Sequence, residues 1–172
     1  RDIVTGAPSH TSVSADGIEY KANIGAATAM ECAKAGAAVH LVCHGEAKAK
    51  IVKQWIEQNV EGASVGYFVV DLNDKDQMQN LTEQLPNDVP LYWVQSLGLG
   101  GGTVKIKSEN PYLAIEDLST ELMQAELTVL TSTISLLQLF LPRFQEQKET
   151  RICIVSSMSA IRGYPLGSMH AA

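Results

Sequence analysis

An α/β fold, a doubly wound parallel sheet with helices on both faces, is the class this 172-residue sequence predicts. Two observations carry it. Short apolar runs of strand length recur along the chain, and segments with helical spacing of apolar residues separate them. The runs are continuously apolar rather than alternating, the pattern of strands buried on both sides of a parallel sheet. Right-handed crossovers then arrange five such strands in the order 3-2-1-4-5, with ligand sites at their carboxyl ends. The length suits one domain spanning residues 1–172.

The first strand is Asp2 to Thr5, which is β-rich and runs into the turn-forming Gly6-Ala7-Pro8. Residues 9–23 are polar without a clear period and predict a loop. Ile24 to Gly36 is alanine-rich and predicts a helix, with Gly36 as its C-cap. The second strand is Ala37 to Val42. From Glu46 to Val60, the positions of Ile51, Val52, Trp55 and Ile56 predict a helix with one apolar face. Ser64 to Val70 is the third strand, Lys75 to Leu85 a helix stopped by Pro86, and Leu91 to Gln95 the fourth strand. A glycine cluster follows, then a polar stretch to about Asp117 that is long for a connection. Leu118 to Gln147 predicts a long helix bent or ended by Pro142, and Arg151 to Val155 the fifth strand.

Hydrophobic residues make up 45% of the chain and charged residues 19%, values typical of a globular domain. The formal net charge is −6 and no run of five basic residues occurs, which argues against a nucleic-acid surface. Cys32, Cys43 and Cys153 follow no disulfide-framework spacing and are expected as buried thiols in a reducing compartment. The apolar stretches read as shorter than a membrane span, and the opening residues show no leader pattern, so a cytoplasmic location is expected. Cys43 and His44 lack a second ligand pair, so no metal is expected.

The carboxyl ends of the strands hold the informative residues. Thr5-Gly6 closes the first strand, and Asn23-Ile24-Gly25 heads the first helix. Asp71-Leu72 follows the third strand, Gln95-Ser96-Leu97-Gly98 the fourth, and Ser156-Ser157 the fifth. In this order they resemble the short-chain dehydrogenase/reductase family, whose sheet is of the Rossmann type. The resemblance covers essentially the whole chain but about the first two-thirds of the family's usual length, so the C-terminal part of the fold is expected to be absent.

The resemblance implies an NAD(P)-dependent oxidoreductase that transfers hydride between the cofactor and a small carbonyl or alcohol substrate. Cofactor binding then falls to Thr5, Gly6, Asn23, Ile24, Gly25, His44, Asp71, Leu72, Gln95, Ser96 and Gly98. Glycines allow the pyrophosphate to approach a helix N-terminus. Here Asn23 replaces the middle glycine and stands 17 residues after Gly6, 13 more than the family spacing. Asn tolerates left-handed backbone, and a plain turn is the alternative. No acid follows Val42, and His44 stands where a phosphate contact would lie, so NADP is expected over NAD; a surface His at a strand end is the alternative. Asp71 would meet the adenine amino group or cap the next helix.

For catalysis, the resemblance implies that Ser157 polarises the substrate carbonyl. His170 stands 13 residues on, at the position of the family's tyrosine acid, and imidazole is a competent general acid. Val129 stands where the family's relay asparagine belongs, and Tyr164 lies only seven residues after Ser157. These departures leave open a catalytically degraded homologue acting as a partner subunit. Either way the helix over 118–144 is expected to pair subunits, as it does in the family.

Overall fold

The computed structural model describes residues 2–6, 11–15, 18–97 and 119–156. Along the chain these form β1 (Asp2–Gly6), β2 (Thr11–Ala15), β3 (Ile18–Ala22), α1 (Ile24–Lys34), β4 (Val39–Cys43), α2 (Glu46–Asn59), β5 (Val65–Val69), α3 (Lys75–Gln84), β6 (Tyr92–Ser96), α4 (Thr120–Glu146) and β7 (Arg151–Ile154).

Five strands form one sheet in the order β5-β4-β1-β6-β7, and every pairing in it is parallel. The side-chain alternation of β4 explains why both faces need helices. Val39 and Leu41 turn to one face and pack with Ala29 and Met30 of α1 and with Val52 and Ile56 of α2. Val42 turns to the other face, where Met78 and Leu81 of α3 and Leu136 and Phe140 of α4 cover Trp93 of β6. The Trp93 and Phe140 ring centroids lie 5.5 Å apart, within the usual range for aromatic pairs.

The loop expected over residues 9–23 is a β-hairpin instead. β2 and β3 pair antiparallel from Thr11↔Ala22 to Ala15↔Ile18. Positions 16 and 17, Asp and Gly, separate the two strands, and Asp-Gly is a strong hairpin dipeptide. Both strands lie beside α2.

Helix ends follow side-chain chemistry. Asn23 caps α1, and Gly36 just past its end has φ +84°, where glycine carries no Cβ penalty. Asp74 caps α3 by accepting from Asp76 N at 3.0 Å and Gln77 N at 3.1 Å. α4 does not stop at Pro142 but continues to Glu146. The carbonyl that Pro142 leaves without a donor belongs to Gln138, on an exposed face where water can serve it.

The C-terminal end of α4 fastens the connection between α3 and β6. Arg143 donates to the carbonyl of Pro86 and, at 3.4 Å, to that of Val89. Gln147 Nε2 donates to the carbonyls of Asn87 at 3.1 Å and Val89 at 2.9 Å, and its Oε1 accepts from Leu91 N at 3.2 Å. The segment from Leu127 to Glu146, 20 residues, is long and apolar enough to cross a membrane by length and composition, which corrects the expectation that no stretch approaches that size. In the fold, Leu136 and Phe140 from this segment are packed against the sheet.

The buried-thiol expectation fails for Cys153, which is exposed on β7; Cys32 and Cys43 are half-buried. None of the three is in a disulfide.

Candidate functional site

The sheet reverses its winding between β1 and β6. β4 and β5 lie to one side of β1, and β6 and β7 to the other. In open α/β sheets, ligands bind outside the carboxyl ends of the strands at such a switch point. Here Gly6, the last residue of β1, is in register with Ser96, the last residue of β6, and Thr5 with Gln95. The backbones of Thr5, Gly6, Gln95 and Ser96 therefore meet at the carboxyl ends of β1 and β6.

α1 begins directly after the hairpin. Asn23 has extended backbone, φ −104° and ψ 175°, rather than the left-handed conformation that its place in a glycine motif suggested. Its Oδ1 accepts from Ala26 N at 2.6 Å, and its carbonyl accepts from Ala27 N at 3.0 Å. An asparagine immediately before an alanine-rich helical run is a standard N-cap signal, so this role was readable in the sequence. Of the amides a helix start leaves without internal partners, Ala26's is thus taken. Those of Ile24 and Gly25 have no acceptor among the described residues.

On the far side of β1, β4 ends at Cys43 and leads into His44, which is exposed. Asp71 follows β5 but does not cap α3, because Asp74 does. Its Oδ1 accepts from Asn73 N and Asn73 Nδ2, both at 2.9 Å. These two bonds hold the Asp71 carboxyl below the usual aspartate range, and the His44 imidazole adds to the effect. No donor among the described residues bonds Asp71 Oδ2. Leu72 is half-buried and packs against the α3/α4 core. Burial pushes the neighbouring Cys43 thiol up to about 11, which leaves it a poor nucleophile at neutral pH.

Gln95 and Ser96 are placed inward rather than on the open rim. Gln95 is 2% exposed; its Oε1 accepts from Trp93 Nε1 at 3.2 Å and its Nε2 donates to Thr133 Oγ1 at 2.9 Å. Thr133 Oγ1 donates in turn to the carbonyl of Val129 at 2.8 Å. Val129, at the family's relay-asparagine position, is therefore tied through its backbone to the end of β6. Nothing in the sequence singled out Thr133. Gly98, Ser157 and His170 lie outside the described residues, as does the rest of the loop after β6. Among the described residues, no three or more His, Cys, Asp or Glu side chains gather where they would hold a metal ion.

The family model for short chain dehydrogenases matches residues 20–172. The chain belongs to the short-chain dehydrogenase family. The match begins inside β3, so it takes in Asn23-Ile24-Gly25 and the later motifs, while Thr5-Gly6 precedes it. No curated protein matches the sequence.

Solved structures of the family share the fold. An NADPH-bound short chain oxidoreductase from Pseudomonas aeruginosa, described as containing an atypical catalytic center, superposes with a TM-score of 0.75 at 22% identity. A 3-oxoacyl (acyl-carrier-protein) reductase from Agrobacterium tumefaciens with NADP bound gives 0.71 at 23% identity. An NAD⁺-bound xylitol dehydrogenase gives 0.75 at 17% identity. Each comparison covers 99% of this chain but only 58%, 57% and 57% of the respective neighbour. The chain thus spans a little over half the length of these short-chain dehydrogenases.

The residues present fit the family's nicotinamide dinucleotide. At the start of α1, no acceptor among the described residues takes the amides of Ile24 and Gly25, and helix-start amides of this kind suit phosphate oxygens. Asp71 Oδ2 stands ready to accept from a base amino group. The exposed His44 adds a group able to face a phosphate.

Proposed function

We propose that this short-chain dehydrogenase is an NADP(H)-dependent oxidoreductase that interconverts a small carbonyl compound and its alcohol. One observation carries the reading: the register of Gly6 with Ser96 at the switch point, beside the amides of Ile24 and Gly25, which no acceptor among the described residues takes. The cofactor, when bound, supplies or takes up the hydride. Ile24 and Gly25 bind the pyrophosphate, Asp71 accepts from the adenine amino group, and His44 faces the ribose phosphate. Gln95 and Thr133 act by holding β6 to α4. The preference for NADP rests on the absence of an acid after Val42. On the positional reading, Ser157 hydrogen-bonds the substrate oxygen and His170 exchanges the proton at that oxygen.

Titration of the protein with NADPH and NADH, followed by fluorescence and calorimetry, tests the cofactor assignment. NADPH is expected to bind more tightly, and turnover with small ketones to accompany binding. Tighter binding of NADH refutes the NADP preference, and no binding of either refutes the cofactor reading.

The protein acts as an oligomer in this reading. Met123, Leu127, Leu130, Ile134 and Leu141 are exposed along α4. Their spacing of three or four residues, and of seven between Ile134 and Leu141, places them on one side of the helix. Leu136 and Phe140 of the same helix are buried against the sheet. A second copy of α4 is the occupant that the exposed stripe fits. Small-molecule chemistry and a cytoplasmic location complete the proposal.

A further inference from the structure

We propose that Asn23 restrains cofactor binding by occupying, with its own side chain, the amide that would otherwise receive a pyrophosphate oxygen. The inference rests on the cofactor reading above and adds a residue that sets affinity. A phosphate site at a helix start draws on the N–H groups of the first turn. In α1, Asn23 Oδ1 holds Ala26 N at 2.6 Å, so two amides of that turn, those of Ile24 and Gly25, remain for the ligand.

Asn23 is 7% exposed, and its Oδ1 is committed to the helix. The backbone does not demand glycine here. With φ −104° and ψ 175°, position 23 is open to any residue, so a substitution changes the donor set without straining the turn. Asparagine at this position therefore stabilises the helix and takes a donor from the ligand. Stability and cofactor affinity are set in opposition by one side chain.

Three variants of the whole protein separate this from a merely structural role: Asn23→Gly, Asn23→Ala and Asn23→Asp. NADPH dissociation constants by calorimetry and melting temperatures without cofactor are the readouts. Asn23→Gly and Asn23→Ala free the Ala26 amide and are expected to tighten NADPH binding about tenfold, the size of one charge-assisted hydrogen bond. Their melting temperatures are expected to fall, with alanine the lower because glycine is the better N-cap of the two. Asn23→Asp keeps the cap and adds a negative charge beside the phosphates. It is expected to melt no lower than the parent and to bind NADPH more weakly.

Affinity and melting temperature moving in opposite directions supports the proposal. Equal or weaker NADPH binding by both Asn23→Gly and Asn23→Ala, with the parent binding NADPH, overturns it and leaves the cofactor reading standing. Absence of NADPH binding in the parent and all three variants, each with a cooperative melt, overturns both.

Discussion

Gln95 Nε2 donates to Thr133 Oγ1 at 2.9 Å, which joins the interior strand β6 to the middle of α4. Replacing Thr133 with Val removes an acceptor from a side chain that is 2% exposed. A hydrogen bond of this kind contributes about 0.5–1.5 kcal/mol. Thr133→Val is expected to lose that much in urea denaturation, and Thr133→Ser to recover most of it. A loss below about 0.5 kcal/mol, outside that range, contradicts the assignment.

Leu130 is 58% exposed in the middle of the apolar stripe on α4. Leu130→Glu puts a charge where a second copy of the helix is proposed to pack. Light scattering is expected to show an oligomer for the parent and a monomer for the variant, with the melt of the monomer still cooperative. A parent that is monomeric at micromolar concentration removes the oligomer proposal.

Asp74 caps α3, and hydrogen bonds from the backbone and then the side chain of Gln77 hold its carboxyl below the usual aspartate range. A depressed folded value means that the contribution to stability is complete above the unfolded aspartate pKa of about 3.9 and is lost as pH falls through the folded value. Asn can cap without titrating. Asp74→Asn is therefore expected to melt below the parent at pH 7, with the gap closing as the pH drops under about 4. A gap that widens in acid runs against this linkage.

Cys153 is exposed on β7, whereas Cys43 is half-buried with its thiol pushed up to about 11. Reactivity follows thiolate content and access. Brief treatment of the folded protein with iodoacetamide at pH 7.5, read by mass spectrometry, is expected to modify Cys153 well before Cys43. Equal labelling would place Cys43 in a more open setting than the end of β4 provides.

The alternation of strands and helices was legible because buried parallel strands are apolar on both sides, as Val39, Leu41 and Val42 are in β4. The hairpin was not, because its residues are polar without a clear period and only the Asp16-Gly17 dipeptide marks a turn. At the site, spacing along the chain located Asn23 and Gln95 but not what they do. Spacing to Gly6 presents Asn23 as a substitute for glycine, whereas its place directly before the helical run announces the cap. Gln95 was read as a rim residue, but its amide turns to Thr133, 38 positions away, a partner that no local pattern announces.

The hairpin has one more consequence. Thr11 and Ala22 are opposite each other in its register, so its two ends are neighbours in space. The twelve residues from Thr11 to Ala22 are therefore a closed excursion that leaves and returns at one place. Had the 13 additional residues formed an open loop, the longer tether between β1 and α1 would cost roughly 1 kcal/mol in closure entropy. A hairpin with its own ladder of hydrogen bonds avoids most of that cost. Such a unit can be gained or lost whole during evolution, while the strand before it and the helix after it keep their places.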